Sequence, residues 1–152
     1  MNRWLLLSGG AVLLAALSGV LLNQGVNPLI ASYQPDLARG EAIYAEACAA
    51  CHGANLEGEP NWRAPGADGR LPAPPHDASG HTWHHSDRVL LDITMRGTAA
   101  VVGGGYESNM PGFGDAYSED ELRDVLEWIK TQWPARERSH QAQVTAQDEA
   151  LR

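Results

Sequence analysis

The stretch YAEACAACHG, residues 44–53, decides the fold because it holds both cysteines of the 152-residue chain. Cys48 and Cys51 stand three residues apart, and His52 follows the second cysteine directly. On a helical turn this spacing brings both sulfur atoms and the imidazole to one side. Three chemistries use such a pair: a disulfide or redox dithiol, half of a metal site, or covalent attachment of a haem.

Covalent haem attachment fits the motif best. Two thioether bonds to the porphyrin edge need two cysteines on one helical face, and the iron needs an imidazole beneath it, so C-x-x-C-H is the signature of a c-type haem. A redox dithiol is expected in a βαβ context, and no parallel-sheet pattern is visible. Structural zinc generally has four ligands, two of which would have to be histidines elsewhere. We therefore predict one covalent haem c on Cys48 and Cys51, with His52 as an axial iron ligand.

A helix is predicted to carry the motif, and a long loop to follow it. Small and apolar residues recur over residues 35–51 with the period of a helix, and Pro35 and Asp36 suit its first turn. Residues 53–81 are rich in proline and glycine, a composition that fits neither helix nor strand. A loop of that length in a compact domain needs something to hold it. A covalently bound cofactor would supply the missing core.

Two further helices are predicted, each from its own start and stop signals. In SDRVLLDITMRG, Ser86 is the expected N-cap and Gly97 the stop. In YSEDELRDVLEWIKTQWP, Ser118 and Glu121 form a capping box, and Pro134 ends the helix. The segment between these two helices is glycine-rich and is predicted to be a loop. No strand is predicted, so the fold class is all-α, with three main helices and long loops around one haem.

The second axial ligand must come from a methionine or another histidine, or be absent. Met95 lies in the predicted second helix and is interpreted as core packing. Met110 lies in NMPGFG, where Pro111 fixes the backbone and the thioether can point inward. Methionine paired with histidine raises the reduction potential of the iron. We predict Met110; the histidine candidates are His76, His81, His84, His85 and His140.

The domain resembles a class I cytochrome c, of the bacterial monohaem kind, over about residues 35–133. RGEAIYAEACAACHGANLEG is similar to the haem-attachment helix of that family, NMPGFG to its Met-Pro loop and YSEDELRDVLEWIK to its closing helix. The resemblance implies the cytochrome c fold. It also implies that Cys48 and Cys51 hold the haem, that His52 is the proximal ligand and that Met110 is the distal ligand.

The same resemblance implies roles for residues around these ligands. Gly40 would let the first helix pack closely against the third, where Trp128 takes the usual aromatic position near Tyr44. A proline carbonyl in the family accepts a hydrogen bond from the ligand histidine Nδ1–H, and Pro74 is the candidate here. His76 stands where the family usually has leucine.

The histidine-rich run HDASGHTWHHSD departs from the plain family pattern. One interpretation is a second metal site, such as copper, since imidazole suits that ion. The other is that these loop histidines make hydrogen bonds around a haem edge, while Trp83 packs and Ser86 caps a helix. The second interpretation is the simpler one.

The N-terminal segment differs from the rest of the chain in being a long uncharged stretch. Residues 4–22, WLLLSGGAVLLAALSGVLL, carry no charge, and Arg3 precedes them. Secretory h-regions run about 7–15 residues and end at a small-x-small cleavage site, whereas a spanning helix needs roughly 17–25 apolar residues. The length favours an uncleaved single-pass anchor in the inner membrane, with the haem domain facing the periplasm. If the leader is cleaved, the domain is exported.

The predicted organisation has three parts. Residues 1–31 are the signal anchor and the start of a linker, and residues 32–134 are the cytochrome c domain. Residues 135–152 are a polar tail without aromatic side chains, and we expect that tail to be weakly ordered.

The charge balance limits the classes of partner that the protein is expected to bind. Eleven Lys and Arg against nineteen Asp and Glu leave a formal net charge of −8 at pH 7. Nucleic-acid binding needs a basic footprint, so no such partner is expected. An acidic surface suits redox proteins with basic patches. Protein ligands on both sides of the iron would leave no position for a small-molecule substrate, so we predict an electron carrier and not an enzyme. The alternatives are a haem subunit of a larger oxidase or dehydrogenase complex, a pentacoordinate enzyme or gas sensor, and a copper-handling protein.

Overall fold

A computed structural model describes residues 33–152 of the chain. Besides its α-helices, this part of the chain contains a π-helical turn (Tyr44–Cys48) between the first and second α-helices and a 3-10 turn (Thr82–His84) before the third. The α-helices in chain order are α1 (Leu37–Ile43), α2 (Ala49–His52), α3 (Asp87–Arg96), α4 (Thr98–Val102), α5 (Glu119–Thr131) and α6 (Ala135–Ala150). Over this part of the chain there is no sheet, and the predicted all-helical character is confirmed.

The predicted membrane anchor, residues 4–22, lies outside the described residues. Between residues 33 and 152, none of the helices combines the length and the apolar character needed to cross a membrane.

The three helices predicted from the sequence are present. The first is α1, the π-helical turn and α2 taken together. It begins at Leu37, because Asp36 is its N-cap and accepts a hydrogen bond from the Arg39 amide at 3.0 Å. Helix α3 follows Ser86, the predicted N-cap, and α5 begins with the complete capping box of Ser118.

Two predictions about loops are corrected by the structure. The short helix α4 occupies part of the glycine-rich segment that was predicted to be a loop. More importantly, the tail over residues 135–152 is not weakly ordered, since residues 135–150 form α6. This helix docks mainly through polar contacts: Gln141 donates to the Asp87 carboxylate at 2.5 Å, and Asp148 accepts from Ser86 at 2.9 Å. A search for apolar periodicity does not detect a helix held in this way.

The core forms where α1 crosses α5. A Cβ added at Gly40 would lie 2.2 Å from the Asp124 carbonyl oxygen and 3.1 Å from Trp128 Cβ. The predicted close packing at Gly40 is therefore confirmed, and so is the contact of Tyr44 with Trp128, whose ring centroids lie 4.8 Å apart. The buried core cluster consists of Ile43, Tyr44, Leu56, Val125, Ile129 and Trp133.

Asp124 of α5 ties down the start of the first helix. Its side chain is fully buried, at 0% exposure, and accepts hydrogen bonds from the Tyr33 hydroxyl at 2.8 Å, the Asp36 amide at 2.9 Å and Arg39 Nε at 2.5 Å. Burial alone would raise the pKa of Asp124. The hydrogen bonds from Asp36, Tyr33 and Arg39 outweigh that effect and hold the pKa below its usual value.

Candidate haem site

The cysteine motif lies where the first helix changes its winding. The Ala49 amide donates to the Tyr44 carbonyl five residues earlier, so the turn that ends at Cys48 is π-helical. Cys48 is half-buried, Cys51 is exposed, and the two are not joined in a disulfide. Single π turns inside α-helices often occur at functional sites. The sequence predicted a regular helix here, because the apolar pattern does not signal one extra residue in a turn.

The thiol chemistry does not favour a redox dithiol. Burial raises the pKa of the Cys48 thiol to about 11, and the neighbouring Cys51 adds to the rise. Reactive dithiols have lowered thiol pKa values, since the thiolate is the nucleophile. Cys48 therefore lacks the lowered pKa that is typical of a reactive redox cysteine.

His52 is oriented by the carbonyl that the sequence proposed. Its Nδ1 lies 2.8 Å from the Pro74 carbonyl oxygen. A carbonyl can only accept, so Nδ1 carries the hydrogen, and Nε2 of the neutral ring keeps its lone pair for a metal. Burial lowers the pKa of His52, although the bond to Pro74 opposes this. The neutral imidazole, which is the form that binds metals, is therefore favoured.

Hydrogen bonds across the long loop bring Pro74 to this position. The Gly58 amide donates to the His52 carbonyl at 2.8 Å, and the Glu59 amide donates to the Ala73 carbonyl at 2.8 Å. A Cβ at Gly58 would lie 2.5 Å from Pro75 N and 2.7 Å from the Pro74 carbonyl carbon. Only glycine lets the two arms of the loop approach so closely.

His76 packs directly on His52. The two imidazole rings are stacked, with centroids 3.9 Å apart and planes 30° apart. His76 Nδ1 lies 2.9 Å from the Thr82 hydroxyl oxygen. The sequence marked His76 as a departure from leucine and as one histidine candidate for the second axial ligand, but its contact with His52 became visible only in the folded chain.

Met110 is held in a separate segment, against the junction of α3 and α4. The Thr98 hydroxyl donates to Met110 Sδ at 3.4 Å. The backbone after Met110 is tied to the end of α3, because the Phe113 amide donates to the Thr94 carbonyl at 2.9 Å and the Gly114 amide donates to the Met95 carbonyl at 3.1 Å. The sulfur therefore belongs to a loop with a fixed path, as the Met-Pro pattern predicted.

The buried ring N–H of Trp83 fits a cofactor with acidic groups. Within residues 33–152, the ring N–H of Trp83 and the Nε–H of Arg70 are buried and have no hydrogen-bond partner, but Arg70 Nε forms an ion pair with Glu107 at 3.6 Å. Arg70 also lies next to the methionine segment, since its terminal N–H donates to the Asn109 side chain at 2.8 Å. Buried N–H groups are normally satisfied, and the carboxylates of a haem are acceptors of the required kind. The unpaired ring N–H of Trp83, the two thiols and the Nε2 lone pair of His52 are each of the chemical kind that a haem requires.

The histidine run forms ring contacts. His84 stacks on Trp83 with centroids 3.7 Å apart, and His140 of α6 lies 5.5 Å from His84. His81 stacks on Trp62 at 5.3 Å. In the described part of the chain, no group of three or more His, Cys, Asp or Glu side chains is arranged to hold a metal ion.

Comparison with known proteins identifies the family. The cytochrome c family matches residues 37–133, which is more than half of the chain. The chain therefore belongs to the cytochrome c family. Membership and the pair Cys48 and Cys51 imply a covalently bound haem c, haem-based electron transfer and redox proteins as partners.

One curated relative is an enzyme. The chain is 32% identical over 114 residues to thiosulfate dehydrogenase of Allochromatium vinosum, an alignment that covers 74% of this chain and 37% of the dehydrogenase. The chain thus spans little more than a third of the length of that relative. No solved structure matches the chain.

Proposed function

We propose that this protein is a class I, monohaem c-type cytochrome that passes one electron at a time between larger redox proteins. The observation that carries the proposal is the hydrogen bond between His52 and Pro74, which leaves Nε2 of His52 available as an axial ligand. Haem c, when bound, supplies an iron that accepts and releases a single electron. Cys48 and Cys51 would hold the haem, and His52 and Met110 would be its axial ligands.

The side chains around the proposed ligands support a carrier over an enzyme. Pro74 orients His52, and Thr98 donates to the sulfur of Met110, so each proposed ligand has its own supporting group. With both axial positions taken by protein atoms, no position would remain for a substrate. The absence of an enzymatic activity is part of this proposal.

The charge and the N-terminal segment complete the proposal. The net charge of −8 favours partners with basic patches, and their association would weaken as salt rises. Residues 4–22 would anchor the chain as a single-pass protein of the inner membrane, with the haem domain facing the periplasm. Cleavage of this leader would give an exported carrier.

Methionine ligation is tested by Met110→Ala in the haem-loaded protein. The variant should keep its covalent haem, lose the visible absorption band of sulfur–iron ligation in the oxidised state and have a lower reduction potential. Met95→Ala is the matched control, because Met95 lies in α3 and was interpreted as core packing. A Met110→Ala spectrum that retains the sulfur–iron band would refute the ligand assignment.

Covalent attachment is tested separately by replacing both Cys48 and Cys51 with alanine. A pyridine haemochrome assay on denatured protein should then detect no covalent haem, whereas the wild type should give one haem per chain. Covalent haem in the double variant would contradict the proposed attachment.

A second candidate is a haem subunit of a larger dehydrogenase complex, and the likeness to thiosulfate dehydrogenase favours it. In that case the carrier would co-purify with a catalytic subunit. Co-purification separates these two cases, and adding thiosulfate to the purified, oxidised protein tests whether the chain is itself an enzyme. No reduction is expected of a carrier by itself, and rapid reduction by thiosulfate alone would identify an enzyme.

A further inference from the structure

We infer that His76 is a positioning residue for His52, and that its stacked imidazole fixes the plane of the His52 ring. This inference rests on the proposed role of His52 as an axial ligand. It assigns a function to a residue that contacts the proposed ligand and that stands where the family usually has leucine.

The first step concerns the freedom of His52. The hydrogen bond from Nδ1 to Pro74 holds one atom of the ring at 2.8 Å. Hydrogen bonds tolerate angular deviations of about 30°, so this bond by itself leaves the plane of the ring loosely determined. A second ring stacked at a centroid distance of 3.9 Å, with planes 30° apart, removes much of this freedom by direct contact. A leucine would fill similar space but would offer no plane against which to stack.

The second step concerns what holds His76 itself. Its amide donates to the Leu56 carbonyl at 2.8 Å, and its carbonyl accepts from the indole N–H of the buried Trp133 at 2.7 Å. Both are backbone groups of His76. A substitution can therefore change the side chain while these anchors keep the path of the loop.

The third step concerns the orientation of the His76 ring. The Thr82 hydroxyl donates its hydrogen to the Pro75 carbonyl at 3.4 Å, so its oxygen is free to accept from His76 Nδ1–H at 2.9 Å. The turn is tight, since a Cβ at Gly80 would fall within 2.7 Å of the Pro75 carbonyl carbon. His76 is thus fixed by two backbone bonds and one side-chain bond before it contacts His52. It is a rigid support and not a loose neighbour.

Electron paramagnetic resonance of the oxidised, haem-loaded protein tests this inference. In a low-spin ferric haem the g values depend on the plane of the axial imidazole, so they report ring orientation directly. His76→Leu should shift the largest g value or broaden its line, because several planes become accessible. His76→Phe keeps a flat ring and should stay close to the wild type, whereas His76→Asn keeps a donor for Thr82 without a ring and should resemble His76→Leu. His81→Leu is the control, since His81 stacks on Trp62 instead.

Superimposable spectra of the wild type and His76→Leu would overturn the inference. If His76→Leu does not take up haem, the comparison of His76→Phe with His76→Asn decides it in the same way, and equal spectra for those two variants overturn it. A wild-type spectrum without a low-spin signal would instead refute the proposed ligation of His52. The two failures are therefore distinguishable. A purely structural role would lower stability in His76→Leu without moving the g values.

Discussion

Replacing Gly40 by alanine tests the crossing of α1 and α5, on which the position of the cysteine motif depends. The added Cβ would lie 2.2 Å from the carbonyl oxygen and 2.6 Å from the carbonyl carbon of Asp124. Both are backbone atoms of a helix, so neither can rotate aside. Carbon atoms in contact prefer about 3.5–4.0 Å. The two helices would have to separate by roughly 1 Å or more at this point.

The expected cost follows from two opposing effects. Overpacking a well-packed core costs about 1–3 kcal/mol, and a clash with backbone belongs at the upper end of that range. Replacing glycine by alanine inside a helix stabilises the helix by about 0.5–1 kcal/mol, which offsets part of this cost. The free energy of unfolding should therefore fall by about 2 kcal/mol. For a domain of this size the midpoint of thermal unfolding should fall by about 6–10 °C.

Guanidinium unfolding of the haem-loaded protein, followed by circular dichroism and haem absorbance, measures this cost. Glu41→Ala is the matched control, because Glu41 is the next residue of α1 and is exposed. The control should stay within about 0.5 kcal/mol of the wild type. If Gly40→Ala is as stable as Glu41→Ala, the helices do not cross as closely as described, and the reasoning fails.

Two further predictions concern groups that support the site and the fold. Thr98→Val keeps the side-chain shape but removes the hydroxyl that donates to Met110 Sδ. Voltammetry should therefore show a lower reduction potential for Thr98→Val than for Thr98→Ser, which keeps the hydroxyl. Equal potentials of the two variants would contradict the role of the hydroxyl. Asp124→Asn should lower the free energy of unfolding by about 1–3 kcal/mol at neutral pH, because it removes a buried, charged acceptor. The folded-state pKa of Asp124 is lowered, so its stabilisation is present above the unfolded pKa of about 3.9 and is lost as pH falls through the lower folded value. The free energies of unfolding of Asp124→Asn and the wild type should therefore converge in acid. A difference in stability that does not change with pH would rule out stabilisation by the ionised Asp124 side chain.

Much of the fold could be predicted because its signals are local. Ser86, Ser118 and Glu121 are cap residues whose hydrogen bonds form within one helical turn. A few neighbouring residues are therefore enough to predict where α3 and α5 begin. The spacing of Cys48, Cys51 and His52 likewise depends only on helical geometry. The contact of His52 with Pro74 was accessible only through resemblance, since nothing local connects residues 22 positions apart.

Two of the features that were not predicted depend on partners far away in the chain. Helix α6 has no apolar stripe, and it is ordered because Gln141 and Asp148 meet the start of α3. The three donors that converge on Asp124 come from residues 85–91 positions earlier. No pattern within a short window can report such pairings.

The sequence by itself determined three of the helices, the haem-binding motif and the cytochrome c family, because periodicity, caps and C-x-x-C-H spacing act over a few residues. The tertiary structure alone decided the π-helical turn before Ala49, the docking of α6 and the stacking of His76 on His52. The docking of α6 and the stacking of His76 arise from contacts between segments that are far apart in the chain. Their free energy depends on positions in space and not on order along the chain.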